Sequence, residues 1–207
     1  MIYLIGGAPR CGKTILAKKI ALKHKISWIT TDTLRFVILA HTPKSQIKQK
    51  FPFETVKTAK GQYHFERYSP QTLLKLEITE ANSMWPGIKE LIKQFINSNQ
   101  DYVIEGVNLL PRLVNQFKNT KFWPNIKVVY LIKTDLKKIK EGIPKNKKEF
   151  DWILAGGINV PGRLGKAAQM IRYESKYFVT QAKKYKFKLV NTDSNFNKKI
   201  IENLKEL

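Results

Sequence analysis

The amino-acid sequence predicts an α/β protein in which helices cover both faces of a five-stranded parallel sheet. Two observations lead there: short segments rich in Ile, Val and Leu alternate with stretches of helical periodicity, and glycine or polar residues follow several of the apolar segments directly. Strands that alternate with helices form parallel sheets, because each connection crosses a face of the sheet. We therefore expect the 207 residues to form one domain with a three-layer α/β/α fold.

The predicted elements follow one another regularly along the chain. Five short apolar segments are expected to be strands, at residues 2–5, 26–30, 102–104, 127–132 and 187–191. Amphipathic spacing predicts helices at 13–24, around 34–38, from 70, after 87, at 164–185 and at 200–204. Glycine and proline are concentrated between 142 and 165, which predicts a loop or lid rather than packed structure.

The composition excludes several classes of protein. No apolar run approaches the ~18–20 residues of a membrane helix, and a single cysteine allows no internal disulfide and no multi-cysteine zinc site. The N-terminal residues lack the basic and long apolar regions of a secretory signal. We therefore expect a cytoplasmic protein with no membrane partner.

Eight consecutive residues after the first predicted strand match the phosphate-binding pattern G-x-x-x-x-G-K-[ST] at every required position. They are Gly7, Ala8, Pro9, Arg10, Cys11, Gly12, Lys13 and Thr14. A predicted strand precedes them and a predicted helix follows, which is the context this loop needs. Glycines let backbone N–H groups curl around an anion, and the positive end of the next helix faces the same anion. We therefore expect these residues to bind the phosphates of a nucleotide.

Three side chains of this loop have further expected roles. Lys13 is expected to bridge the β- and γ-phosphate oxygens and so to act in catalysis, while the Thr14 hydroxyl is expected to bind Mg²⁺. The Cys11 thiol lies near a helix N-terminus, where a thiol can ionise and become redox-sensitive. We favour the simpler interpretation that Cys11 is a small residue that fits the loop.

Acidic residues follow the second and third predicted strands, at the sheet edge where the phosphate loop also lies. Asp32 can orient an acceptor hydroxyl or take up its proton, although a helix N-cap is the alternative role. Arg35 is placed to bind an anionic group of the substrate. Glu105 can hold Mg²⁺ or position the substrate, or else be a solvated strand end, and Gly106 permits close backbone approach.

These motifs together resemble a known family. The patterns G-x-x-x-x-G-K-T at 7–14, T-D-T-L-R at 31–35 and V-I-E-G-V-N-L-L-P at 103–111 are similar to the small P-loop kinases, and most of all to 2-phosphoglycerate kinase and its relatives. Asn108 stands where that family usually has His. The resemblance implies a P-loop NTPase fold and transfer of the γ-phosphoryl group of Mg·ATP to a small hydroxyl or phosphate acceptor.

The resemblance also implies a lobe and a lid around the site. Residues 40–98 are expected to form a helical lobe that holds the acceptor, and residues 142–165 a lid that carries arginines over the phosphates. Arg163 and Arg172 are the candidates for these arginines, because one lies in the glycine-rich stretch and the other in the helix that follows. An arginine in such a role neutralises charge on the transferring group.

Two other functions remain open from the sequence alone. The net charge of +22 is compatible with a kinase that acts on RNA, DNA or tRNA. That charge is spread evenly, at +10 for residues 1–100 and +12 for residues 101–207, and a Lys-, Ile- and Asn-rich composition also produces it without a nucleic-acid partner. A nucleotide-binding switch or ATPase without an acceptor is the other alternative.

Overall fold

The structure, a computed structural model, describes residues 1–59, 62–145 and 161–206. Its strands are β1 (Ile2–Gly7), β2 (Ser27–Thr30), β3 (Tyr102–Gly106), β4 (Ile126–Ile132) and β5 (Lys188–Asn191). They form one parallel sheet of five strands in the order β2-β3-β1-β4-β5. The predicted α/β class and the predicted strands are therefore confirmed.

Helices connect these strands and flank the sheet. They are α1 (Lys13–His24), α2 (Thr31–Ala40), α3 (Lys44–Lys50), α4 (His64–Arg67), α5 (Pro70–Asn97), α6 (Pro111–Val114), α7 (Leu136–Lys145), α8 (Arg163–Lys184) and α9 (Phe196–Glu206). Short 3-10 turns lie at Pro52–Glu54, Asn115–Phe117 and Trp123–Asn125. In the described ranges, no helix has the length and apolar character needed to cross a membrane.

The register of the sheet brings the predicted functional segments to one edge. Thr30 at the end of β2 pairs with Glu105 of β3. Gly6 of the central strand β1 pairs with Gly106 on one side and with Tyr130 of β4 on the other. The phosphate loop after β1, the start of α2 and the end of β3 are therefore adjacent in space, as parallel strand ends must be.

Helix α5 is longer than the sequence pattern indicates. Periodicity predicts one helix from Pro70 and another pattern after Gly87, whereas the structure has a single 28-residue helix with Pro86 inside it. Pro86 removes a backbone hydrogen bond, at a penalty of about 3 kcal/mol. Continuity is stabilised because both halves share one apolar stripe, on which Met84 and Ile88 are completely buried. Ser69 caps the N-terminus of the helix by accepting from Thr72 N at 3.2 Å.

Helix α7 is absent from the sequence prediction. The sequence analysis assigned the second half of this helix to the loop or lid because of Gly142 and Pro144. The structure instead extends the helix to residue 145. The overlooked signal is the i, i+3, i+7 spacing of Leu136, Ile139 and Ile143, of which the last two are buried. The predicted lid at 142–165 otherwise lies mainly outside the described residues, because 146–160 are not among them.

Two apolar cores hold the described residues together. The larger core packs α1, α5 and α8 against the sheet. The smaller core joins α4, α5, α7 and α8, and its buried members are Phe65, Leu73, Ile139, Ile143, Ala167, Ala168, Met170 and Ile171. Part of the segment predicted as an acceptor lobe therefore shares a core with the helices on either side of residues 146–160.

Candidate active site

The phosphate loop has the backbone shape of an anion cradle. Arg10 and Gly12 both adopt left-handed conformations, with φ of 62° and 96°, and helix α1 begins directly after them at Lys13. No acidic residue lies in the first turn of α1, so its positive end is not neutralised from within. A Cβ atom at Gly12 would lie 2.4 Å from the ring of Phe196, which covers the loop. The loop can therefore present N–H groups to a phosphate.

Lys13 and Thr14 begin helix α1 at the edge of the sheet. The Lys13 ammonium donates to the carbonyl oxygen of Ala8 at 2.8 Å, and the side chain is buried. The Thr14 hydroxyl donates to Glu105 Oε1, also at 2.8 Å. Lys13, Thr14 and Glu105 thus meet although Glu105 lies about ninety residues away in sequence. The structure brings these three predicted site residues together.

The Thr14–Glu105 pair has the donor chemistry that Mg²⁺ prefers. A hydroxyl and a carboxylate supply hard oxygen ligands, and Mg²⁺ usually takes one or two such protein ligands and completes its shell with phosphate oxygens and water. Accordingly, the described part of the chain contains no group of three or more His, Cys, Asp or Glu side chains placed to hold a metal ion by itself. The residues present fit an ion that arrives with a nucleotide.

The Cys11 side chain points away from the phosphate cradle. It is completely buried, with Sγ 3.5 Å from the Pro9 carbonyl oxygen and 3.9 Å from Ser175 Oγ. Burial raises the pKa of the Cys11 thiol to about 11, more than the nearby Lys13 charge lowers it. The thiol is therefore protonated at neutral pH, which supports the small-residue interpretation over a redox-sensitive thiol.

Asp32 lies in the first turn of α2 and lines the same cavity as Lys13 and Thr14. The helix N-cap is Thr30, whose hydroxyl oxygen accepts from Thr33 N at 3.0 Å. Capping, the alternative role for Asp32, is thus carried out by another residue. The Asp32 carboxylate is left to face the cavity.

Gly106 explains how closely α2 approaches β3. It has φ of 156°, and a Cβ atom there would lie 1.7 Å from Thr31 Oγ1. Any larger residue would therefore displace the start of α2, and with it Asp32. Gly106 also lines the cavity, next to Glu105.

Arg35 lines neither of the two cavities described below. Its guanidinium donates to Glu80 Oε2 at 2.6 Å, to Glu80 Oε1 at 3.1 Å and to Glu54 Oε1 at 2.8 Å. Glu80 in turn accepts from Phe53 N at 2.9 Å. The structure thus places Arg35 in an ion pair that fixes the 3-10 turn carrying Phe53, a cavity residue.

Arg163 and Arg172, the two predicted lid arginines, also lie outside both cavities. Arg163 is buried, pairs with Glu66 Oε1 at 3.1 Å and stacks over the ring of Tyr63 at 5.0 Å. Arg172 lies on α8, and its Nε is buried with no hydrogen-bond partner among the described residues. The structure does not bring either arginine to the phosphate loop.

Two cavities meet at the phosphate loop. We call the first the basic cavity; it has a volume of about 270 Å³ and is lined by Arg10, Lys13, Lys133, Ile139, Ile143 and Phe196, among others. We call the second the acidic cavity; its volume is about 340 Å³, and its lining includes Asp32, Glu77, Glu105, Glu174, Phe53 and Tyr63. The residues common to both linings are Arg10, Lys13 and Thr14.

Glu77 and Glu174 are site residues that the sequence analysis missed. They reach the acidic cavity from α5 and α8, and both are buried. Burial raises the pKa of Glu77 to about 7 and that of Glu174 well above its ordinary value, while the charge of Lys13 acts against both shifts. The available signal was a carboxylate on the apolar stripe of a helix: Glu77 follows Leu73 by four residues, and Glu174 follows Ile171 by three.

The sequence analysis also missed the segment that follows β5, which contacts the phosphate loop. Thr192 donates to the Cys11 carbonyl oxygen at 3.0 Å and ties this segment to the phosphate loop. Asp193 accepts from Thr134 N and Asp135 N at 2.9 and 3.1 Å. Burial alone would raise the pKa of Asp193, but these hydrogen bonds hold it below its ordinary value. Phe196, a few residues later, is thereby held at the mouth of the basic cavity.

Comparison with known proteins shows the fold. No protein-family model matches the sequence, and no curated protein matches it. A gluconokinase from Sinorhizobium meliloti is similar in structure, with a TM-score of 0.53 and 11% identity over 99% of this chain and 91% of that one. A sugar kinase from a Janibacter species is similar with a TM-score of 0.50 and 12% identity, over 99% and 92% of the two chains. The chain therefore shares its α/β fold with these two kinases.

Proposed function

We propose that this protein is an ATP-dependent kinase that transfers the γ-phosphoryl group to a small-molecule acceptor. The observation that carries the proposal is the arrangement of the two cavities, which share Lys13, Thr14 and Arg10 as a common wall. A nucleotide in the basic cavity would end with its γ-phosphate at this wall. An acceptor in the acidic cavity would then face the phosphorus atom, which is the geometry that phosphoryl transfer requires.

The residues that line the two cavities have separate roles in this reaction. The loop 7–14 holds the phosphates, and Lys13 stabilises the charge that develops on the transferring group. The acceptor oxygen attacks the γ-phosphorus, the bond to the β–γ bridging oxygen breaks, and ADP leaves. Asp32 orients the acceptor hydroxyl and takes up its proton. Phe196, Ile139 and Ile143 offer apolar contacts to the nucleotide base.

Thr14 and Glu105 are the residues that would hold Mg²⁺. When bound with the nucleotide, the ion neutralises phosphate charge. The direct hydrogen bond between their side chains supports this role, because it holds both oxygens side by side next to the phosphate loop. Glu105 therefore acts in this proposal as a metal-positioning carboxylate rather than as a solvated strand end.

The acidic cavity favours a kinase over a switch or a simple ATPase. A protein that only binds and hydrolyses nucleotide needs no second cavity against the phosphate loop, whereas a kinase needs a site for its acceptor. The two structurally similar proteins, a gluconokinase and a sugar kinase, are named for small acceptors, which agrees with a cavity of about 340 Å³. Their names do not identify the acceptor of this chain.

The resemblance to 2-phosphoglycerate kinase supports the reaction more than the acceptor. Its shared motifs are the phosphate loop and the strand-end residues Asp32 and Glu105. In the described ranges, the acidic cavity has no Lys or Arg in its lining beyond the phosphate loop itself. A phosphorylated, carboxylated acceptor would therefore have few cations to bind it there.

The proposal is tested by following the γ-phosphate. The protein is incubated with γ-labelled ATP and Mg²⁺ together with a small-metabolite extract and, in parallel, an RNA pool. We expect label in a low-mass phosphoester. Lys13→Ala should reduce transfer by at least about 10²–10³-fold, because it removes the main charge at the shared wall. The matched control is Lys19→Ala, an exposed position on the same helix.

Three outcomes would contradict this function. Label on RNA alone would indicate a nucleic-acid kinase and give the Lys-rich surface a role. Free phosphate alone would indicate an ATPase or a switch. Full transfer by Lys13→Ala would exclude the mechanism, whatever the acceptor.

A further inference from the structure

We infer that the acceptor is an organic cation, an alcohol that carries a protonated amine, and that Glu77 and Glu174 bind the ammonium group. This inference rests on the proposed function and adds the chemical class of the acceptor. Its basis is the composition of the acidic cavity, the incomplete hydrogen bonding of two carboxyl groups in it, and its aromatic lining.

The acidic cavity is rich in carboxyl groups although the chain as a whole is basic. The protein carries a net charge of +22 and has only 16 Asp and Glu residues. Four of these sixteen, Asp32, Glu77, Glu105 and Glu174, line this one cavity, against the two cations Arg10 and Lys13 of the phosphate loop. Because that loop serves the nucleotide, the acceptor side of the cavity is acidic. A cation bound beside Glu77 and Glu174 would favour their ionised forms, which burial disfavours in the free protein, whereas a bound anion would not.

Glu77 and Glu174 are both buried and incompletely satisfied. They are 7% and 2% exposed and share a hydrogen bond with each other, and Glu77 Oε1 and Glu174 Oε2 have no other partner among the described residues. A buried carboxyl oxygen that lacks a donor costs about 1–3 kcal/mol or more, so two incompletely satisfied carboxyl groups that line one cavity point to a ligand that supplies donors. An ammonium group has three N–H donors and a positive charge, which suits two facing carboxyls.

A bound nucleotide increases the need for a cation beside Glu77 and Glu174. Lys13 is the cation that now acts on both carboxyl groups. When phosphates occupy the loop, the Lys13 ammonium pairs with them, and its compensation of the two glutamates falls. The charge of the nucleotide itself adds to the negative potential at the shared wall. A cationic acceptor restores the balance, whereas an anionic acceptor would worsen it.

The remaining lining favours an organic cation over a metal ion. The described residues include no cluster of three or more His, Cys, Asp or Glu suited to a metal, so the glutamate pair does not form a metal cage. Phe53, Tyr63, His64 and Phe65 also line this cavity, and the rings of Phe53 and His64 lie edge to face, 5.6 Å apart. Aromatic rings bind organic cations through their π faces and cover the carbon skeleton.

The acidic cavity has residues suited to both ends of such an acceptor. The amine would bind between α5 and α8, at Glu77 and Glu174. The hydroxyl would then lie toward Asp32, Lys13 and Thr14, where transfer takes place. Binding of the amine therefore orients the hydroxyl toward the γ-phosphate. Binding energy from a part of the acceptor that does not react is in this way used to accelerate the transfer.

The decisive experiment sorts acceptors by charge. A small-metabolite extract is separated by ion exchange at pH 7 into cationic, neutral and anionic fractions, and each is assayed for label transfer from γ-labelled ATP by the full-length protein. We expect the acceptor in the cationic fraction. Transfer confined to the neutral or anionic fraction overturns this inference and leaves the kinase function intact. Transfer to no fraction, with nucleotide binding intact, overturns both.

A second experiment assigns the effect to the two glutamates. With the acceptor purified from the active fraction, Glu77→Gln and Glu174→Gln should each raise its KM on the order of 30-fold, while the KM for ATP stays within about two-fold. Glu90→Gln is the matched control, because Glu90 is exposed on the same helix α5 and pairs with Lys93. Melting curves establish that the variants are folded. An unchanged acceptor KM in folded Glu77→Gln and Glu174→Gln would overturn the assignment.

Discussion

The two cavities on either side of Lys13 differ in charge although they share a wall. The basic cavity has Arg10, Lys13 and Lys133 in its lining and no acidic residue among its described members. The acidic cavity has four carboxyl groups and, beyond the phosphate loop, no Lys or Arg among its described members. The net charge of a protein therefore says little about the charge of a particular site. A chain with a net charge of +22 gathers four of its sixteen acidic residues where we place the acceptor.

This contrast follows from where each cavity gets its residues. The basic cavity takes half of its lining from the phosphate loop and the start of α1, and two of its three cations, Arg10 and Lys13, are close in sequence. The acidic cavity takes one carboxylate each from α2, α5, β3 and α8. Its character is therefore a property of packing, and changes on either side of Lys13 should have separable effects.

The largest effect is expected from Asp32→Asn on the acidic side. An amide cannot accept the proton of the acceptor hydroxyl, so kcat should fall about 10²–10³-fold while the KM for ATP changes little. Steady-state kinetics with both substrates varied measures this. Asp135→Asn is a suitable control, because Asp135 caps α7 by accepting from Lys138 N, and Asn caps equally well. An undiminished kcat would remove Asp32 from the mechanism.

An intermediate effect is expected from Glu77→Gln on stability rather than on rate. The Glu77 pKa is about 7 in the folded protein against an ordinary 4.5, so the folded state holds more protons than the unfolded state between these values. Stability should therefore decrease as pH rises through that window. Gln does not ionise, and Glu77→Gln should stabilise the protein at pH 8 by up to about 3 kcal/mol.

Urea unfolding at pH 5 and pH 8 measures this difference. The gain from Glu77→Gln should be larger at pH 8 than at pH 5, and Glu90→Gln should show no such gain. A variant less stable than the parent at pH 8 would mean that the interactions of Glu77 with Glu174 and Lys13 stabilise the free protein more than the buried charge destabilises it. Together with the acceptor kinetics, the result would show whether a site residue is retained at the expense of stability.

The smallest effect is expected from Phe196→Ala on the basic side. Removal of the ring that covers the phosphate loop should raise the KM for ATP about three- to ten-fold, as expected for loss of one aromatic contact. The acceptor KM should not change. Phe36→Ala, at an exposed position outside both cavities, is the control. An effect on the acceptor alone would reverse the assignment of the two cavities.

The sequence prediction succeeded where structure depends on neighbouring residues. The phosphate loop follows directly from the pattern at 7–14, because eight consecutive residues determine the backbone that binds an anion. The strands were recognisable because buried parallel strands are short, apolar and β-branched. The predicted position of Asp32 and Glu105 beside this loop has a related reason: each lies at or just after a strand end, and strand ends meet at one edge.

The prediction was incomplete where long-range packing competes with local signals. In α5, Pro86 and Gly87 indicate a break, but the buried stripe on both sides keeps the helix continuous. In α7, glycine and proline outweighed an apolar spacing that the second core confirms. Arg35 was predicted to bind substrate from its position after the second strand. The structure pairs it with Glu80 and Glu54, partners that no local pattern identifies.

The sequence alone was enough to predict the class of fold, the five strands and the residues of the phosphate loop. These depend on periodicity, β-branching and glycine, all of which act within a few residues. Only the tertiary structure decided what lies opposite the loop. Glu77 and Glu174 are almost a hundred residues apart, and helix packing alone makes them neighbours in one cavity. The energy of a buried charge depends on everything around it, and for that reason the chemistry of the acceptor becomes visible only in three dimensions.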